Sequence, residues 1–161
     1  AVGGSIEEAI SRMRWGLAKK RATGAEIKVP YYLGLLAEAH RRANRSAEAI
    51  SLLNEALEVV ERTNERWYEA ELYRLKGELL LQQSLDNQSE TESCFHKAIA
   101  IAQNQQAKSW ELRAAISLAR LWQQDQRVEA RELLAPIYGW FTEGFDTVDL
   151  QEAKALLEEL G

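Results

Sequence analysis

Two prolines, nine glycines and one cysteine are all that 161 residues contain of the types that break, bend or staple a chain. With so little proline, long helices meet few interruptions. A lone Cys94 excludes an internal disulfide and fits a reducing, cytoplasmic setting. No apolar run is long enough to span a membrane, and no signal peptide is visible. Positive charge is also short, with 20 Lys+Arg against 25 Asp+Glu and a net charge of −5. That balance argues against a phosphate-binding surface, so no nucleic-acid or membrane partner is expected. There is no Gly-rich loop leading into Lys-Ser/Thr, no HExxH and no paired CxxC. Cofactor and metal chemistry therefore lack a motif, and no enzyme is expected.

What is present is helical. Hydrophobic residues at 46% and charged residues at 28% suit a folded chain. The breaks "ATGAE", "ANRS", "RTNE", "SLDNQS", "QNQQAK", "QDQR" and "EGFDT" leave eight helical stretches. These run near 5–22, 29–43, 46–63, 66–84, 89–104, 107–124, 127–142 and 147–160, and no strand pattern appears. Ser5-x-x-Glu8 and Ser89-x-x-Glu92 read as capping boxes. Gly24 and Gly144 read as helix stops. Pro30 suits a first helical turn, whereas Pro136 predicts a kink by removing the bond to the Glu132 carbonyl.

A small-large-small triplet recurs on alternate helices: Ala9, Met13, Gly16; Ala49, Leu53, Ala56; Thr91, Phe95, Ala98; Ala130, Leu134, Ile137. Successive triplets begin 40, 42 and 39 residues apart. The intervening helices carry Leu33, Ala37, His40, then Tyr73, Gly77, Leu80, then Ala115, Ala119, Trp122. Two interleaved patterns of one period describe a repeated helical hairpin, with small residues where helices approach closely. The expected fold is all-α, an α-solenoid of antiparallel helical hairpins.

This signature resembles the tetratricopeptide repeat (TPR), with a longer period, Thr91 in place of one small residue and Ile137 in place of another. HEAT-like repeats are the alternative at the level of fold. The resemblance implies a right-handed superhelix over 5–161, with a partial repeat at 5–24 and hairpins at 28–63, 66–104 and 107–144. A capping helix follows at 147–160, and residues 1–4 read as a tag remnant. "RWYEAELYRLKGELLLQQ", "AKSWELRAAISLARLWQQ" and "ELLAPIYGWFTEGFDTVDLQEAKALLEEL" are similar to the C-terminal region of large bacterial signalling proteins. Those proteins join such repeats to an ATPase module and to a nucleotidyl-cyclase or helix-turn-helix output domain. The similarity implies a non-catalytic interaction or regulatory module for signal transduction, its partner a protein, a peptide or other domains of the same polypeptide. A small-molecule sensor controlling an ATPase or cyclase output is the alternative.

In such a superhelix the first helices of the hairpins line the concave wall. There Tyr31, Glu38, Arg42, Glu71, Arg74, Glu78, Arg113 and Arg120 are expected to form a mixed-charge groove. Arg74 and Arg113 are expected at its centre, and their reversal to Glu is expected to weaken binding without unfolding the chain. TPR domains that clamp a C-terminal carboxylate use Lys and Asn where this chain has Gly34 and Glu38, which disfavours that partner class. His40 reads as a satisfied, partly buried packing residue. Cys94 and His96 point apart on one helix and hold no shared metal. The first helix matches the second half of a hairpin, so Met13 and Trp15 are expected to be open to homodimerisation through a truncated N-terminal end. The other outcome is Trp15 turned inward onto Tyr31 or Tyr32.

Overall fold

A computed structural model describes residues 2–161, with side chains from Ser5 onward. Its α-helices are α1 (Val2–Ala22), α2 (Val29–Arg42), α3 (Ser46–Thr63), α4 (Glu69–Gln83), α5 (Gln88–Asn104), α6 (Lys108–Trp122), α7 (Arg127–Gly139) and α8 (Val148–Leu160). One 3-10 turn, Leu85–Asn87, precedes α5. No strand occurs among the described residues, and none of their helices is long and apolar enough to cross a membrane. Of the segment read as a tag, residue 1 and the side chains of 2–4 lie outside the described set.

The helix ends follow from residues that accept a left-handed backbone. Asn44, Asn64 and Gln106 have φ of 57°, 57° and 54°, and Gly24 has 73°. After Asn44 and Gln106 the chain closes five-residue-back hydrogen bonds, Arg45 N–H to the His40 carbonyl at 2.9 Å and Ala107 N–H to Ala102 at 2.8 Å. These satisfy carbonyls that a helix end leaves open. Neither expected capping box forms. Ser5 lies inside α1, and α5 begins at Gln88 with no side-chain cap. The cap sits one turn earlier, where the Ser84 hydroxyl accepts from Asp86 N–H at 3.1 Å. Pro30 occupies the first turn of α2 as expected. Pro136 lies inside α7 on its exposed side, and the helix ends at Gly139, short of the expected 142.

Three hairpins, α2–α3, α4–α5 and α6–α7, stack so that α2, α4, α6 and α8 form one row in mutual contact. The helices α1, α3, α5 and α7 form the other row, each packed against helices of the first, and Arg21 of α1 also pairs with Glu55 of α3. The triplets explain this spacing. Ala49, Leu53, Ala56, Thr91, Ala98, Ala130 and Leu134 are all fully buried, as are Ala37 and Ala119 opposite them. A Cβ at Gly77 would come within 2.5 Å of the Phe95 ring, and one at Gly34 within 2.7 Å of Tyr68. Glycine lets those rings lie against the helix backbone. Each buried leucine contributes about 1.5–3 kcal/mol through removal from water.

The two ends differ from the middle. In α1 the buried residues are Ile10 and Leu17, whereas Ala9 and Gly16 of the expected triplet are exposed. At the other end Leu150, Ala153, Leu156 and Leu160 seat α8 against α6 and α7. The last helix therefore extends the row of α2, α4 and α6 as well as closing the core.

Candidate functional site

The shared row forms a wall with two tiers. At the start of the helices stand Tyr31, Trp67, Tyr68 and Trp110, with Tyr31 5.4 Å from Trp67 and 5.0 Å from Tyr68. Tyr68 lies 5.5 Å from Trp110, edge to face. Edge-to-face and tilted rings at these separations attract one another beyond simple burial. Trp67 stays 43% exposed, whereas Tyr68 is buried. Burial, with the nearby Glu71 charge, raises the Tyr68 phenol well above its ordinary range and keeps it protonated.

One or two turns further along begins the charged tier. Glu71 is 3% exposed and accepts a two-pronged bond from Arg74, at 2.9 Å from Nε and 2.7 Å from Nη2. Arg113 of the next helix in the row reaches the same carboxylate at 3.0 Å and Asp149 of α8 at 3.6 Å. Its guanidinium also lies 5.6 Å from the Trp110 ring, joining the two tiers. Ser117 donates to Glu78 at 2.7 Å, and Arg74 stands 3.4 Å from Glu78. Glu38 holds Arg41 at 2.7 Å and Arg42 at 3.0 Å, and Arg120 meets Glu152 at 3.4 Å. A cleft of about 380 Å³ runs between these groups, lined from α2, α4, α6 and α8.

Burial alone would lower the Arg74 guanidinium, but its bonds to Glu71 and the charges of Glu71 and Glu78 raise it. Burial alone would raise Glu38, but the Arg41 and Arg42 bonds draw it below its ordinary range. Both groups are therefore charged at neutral pH.

Of the expected groove residues, Glu38, Arg42, Arg74, Glu78, Arg113 and Arg120 line the cleft. Glu71 sits beneath it as the shared acceptor, and Tyr31 belongs to the aromatic tier. Arg41, Ser117, Asp149 and Glu152 line it too, though the sequence reading omitted them. The signal for Asp149 and Glu152 is the acidic composition of α8, a helix the sequence marks only as a cap. Arg74, expected at the binding centre, lines the cleft but is largely taken up by Glu71. Its side chain is 13% exposed and occupied by Glu71, so Arg74→Glu would face a buried carboxylate with another. The accessible cations are Arg42 and Arg120, whose side chains are 69% and 52% exposed.

His40 is fully buried, more than expected, and only half satisfied. Its Nε2 is 3.2 Å from Arg14 Nη2, while Nδ1 has no partner. Cys94 is buried and His96 exposed, 3.6 Å from Glu92. No cluster that could hold a metal ion occurs among the described residues. Trp15 does not turn inward. It is 63% exposed, with Lys19 Nζ 4.2 Å above its ring.

No protein-family model and no curated protein sequence matches this chain. Its fold is similar to that of a kinesin-light-chain-like protein of Podosopora anserina with nearly identical TPR-like repeats. The TM-score is 0.67 at 19% identity, over 98% of this chain and 86% of that one. A variant of that protein gives the same TM-score at 18% identity, over 98% and 85%. Identity at this level carries the fold and not the activity. In architecture the chain is a TPR-like α-solenoid.

Proposed function

We infer that the chain is a non-catalytic protein-interaction module that holds a segment of a partner along its inner row. One observation carries this reading: four successive inner-row helices contribute to one uninterrupted wall, aromatic at one edge and charged along the other. Such a wall suits an extended or helical segment with an apolar side chain for Trp67 and carboxylates for Arg42 and Arg120. Those two arginines are exposed and pair with Glu38 and Glu152 in the free protein. Exposed ion pairs contribute little to stability, so a partner carboxylate can replace them at small cost.

The test is fluorescence titration with peptides of acidic, neutral and basic character, read from the tryptophans. Acidic peptides with an aromatic residue are expected to bind best. Arg42→Glu with Arg120→Glu is expected to weaken that binding about tenfold, roughly 1.4 kcal/mol, with the fold intact. Equal affinity for wild type and double variant, or no peptide binding in any class, would overturn the reading.

A small polar ligand is the second reading, favoured by a cleft volume of about 380 Å³, within the size range of small-molecule sites. A ligand of that kind raises the melting point by mass action in a metabolite screen. The similarity of three segments to bacterial signalling proteins supports placing this module in a larger cytoplasmic signalling polypeptide with an ATPase or cyclase output. Finding the chain encoded apart from any such domain would count against that placement.

A further inference from the structure

The arginines of the cleft are not all held alike. On α2 and α4 they bond within their own helix, Arg41 and Arg42 to Glu38 at 2.7 and 3.0 Å and Arg74 to Glu71 at 2.7 Å. On α6 the pairs that face α8 are looser. Arg113 stands 3.6 Å from Asp149 and Arg120 3.4 Å from Glu152, both beyond the roughly 2.7–3.2 Å of an N–H···O hydrogen bond. Spacing along the two helices explains this. Helices α6 and α8 run the same way, because α7 turns back between them. Arg113 and Arg120 are seven residues apart, two turns on one face, or about 10.5 Å along the axis. Asp149 and Glu152 are three apart, or about 4.5 Å. These two carboxylates cannot lie level with both guanidiniums, so the arginines lean inward and neither bond closes. All four side chains are 34% to 52% exposed, so exchanging the pairs for others costs little.

We propose that α6 and α8 form the anion subsite of the wall, where Arg113 and Arg120 take two carboxylates of a helical partner segment in place of Asp149 and Glu152. This subsite rests on the reading of the chain as an interaction module and names the chemistry of the partner. Two observations select that occupant. The first is charge geometry: all five cations lining the cleft are arginines, and no lysine among the described residues lines it. Guanidinium groups grip carboxylates two-pronged, which a lysine cannot do. The second is spacing. Acidic residues seven apart on a helix share one face and lie level with both arginines, which Asp149 and Glu152 do not. The α8 carboxylates are thus built-in competitors, and they favour a partner that brings two well-spaced charges over one that brings a single charge.

Fluorescence anisotropy of labelled, alanine-based helical peptides of roughly 18 residues tests this at low ionic strength. Three probes carry two glutamates seven residues apart, two glutamates three apart, or two glutamines seven apart. The first is expected to bind wild type about fivefold tighter than the second, and the third not to bind. Asp149→Asn with Glu152→Gln is expected to tighten the first by about fivefold, since the competitors are gone while Leu150, Ala153 and Leu156 still seat α8. Glu129→Gln with Glu132→Gln makes the same charge change at the same spacing on exposed sites of α7, and is expected to change nothing. Equal affinity for the two glutamate spacings would overturn the subsite. So would a gain from the α8 variant no larger than that from the α7 variant. If Arg42→Glu with Arg120→Glu still weakens binding in either case, the interaction module stands without this subsite. No binding of any probe, to wild type or to the α8 variant, would overturn both.

Discussion

At His40 a single ring reports how tightly α1 is held. Arg14 can only donate, so the His40 Nε2 that meets it accepts, and the proton of the neutral ring sits on Nδ1, which has no partner. Burial lowers the imidazole below its ordinary 6.5, and the charges of Arg14 and Arg45 lower it further, against the smaller opposing pull of Glu48 and Glu7. The unfolded chain therefore binds this proton more readily than the folded one. The associated stability is fully present above pH 6.5 and is lost as pH falls below that value toward the depressed folded one. Urea unfolding across this range is expected to show wild type losing stability faster than His40→Leu as pH falls. Parallel profiles for the two proteins would rule out the imidazole as the source. The sequence placed His40 on a packing face correctly. It could not show which ring nitrogen is met, because Arg14 comes from 26 residues away on another helix.

Among the elements, α1 is the least anchored. Its backbone packs against α2 alone, and Ile10 and Leu17 are its only buried large side chains among the described residues. Ion pairs Arg21–Glu55 and Arg45–Glu7 tether it at the two ends, but exposed pairs contribute little. Local opening follows local burial, so α1 amides are expected to exchange hydrogen well before those of α4 and α6. Leu17→Ala is expected to speed α1 exchange further while leaving α6 unchanged. Uniform protection across all eight helices would contradict this. The existence of all eight helices was legible in the sequence, because a 3.6-residue apolar period and left-handed Asn or Gly positions are local properties. The buried stripe of α1 was not. Ala9-Met13-Gly16 matches its counterparts in spacing, yet among the described residues no helix covers it, and Ile10 and Leu17 carry the buried contact instead.

Over the whole molecule the apolar core divides in two. One cluster runs from Ile10 through Leu33 and Leu53 to Leu79, the other from Phe95 through Leu118 to Leu160. Helix α4 serves both, with Leu72, Leu75 and Leu79 on the first and Tyr73 packed against the second. Stability in such an array is roughly a sum of neighbouring contacts. Leu53→Ala is expected to cost about 2–5 kcal/mol in the first half. It should split unfolding into two steps, with α6–α8 amides staying protected through the first. A single step shared by every amide would show that α4 couples the halves completely.

The sequence by itself determined the repeat, the hairpin order and the small residues at helix crossings, because each depends on spacing along one helix. It also placed most of the inner wall, since residues seven apart share a face wherever the helix goes. Tertiary structure alone decided which charges are free. Arg74 and Arg42 look alike in the sequence, but only Arg74 meets a carboxylate that Arg113 of the next hairpin also holds. Asp149 and Glu152 join the wall because α8 lies beside α6, a contact between segments nearly forty residues apart in the chain. Burial and pairing across repeats depend on which helix arrives from far along the chain, and no local pattern of residues carries that information.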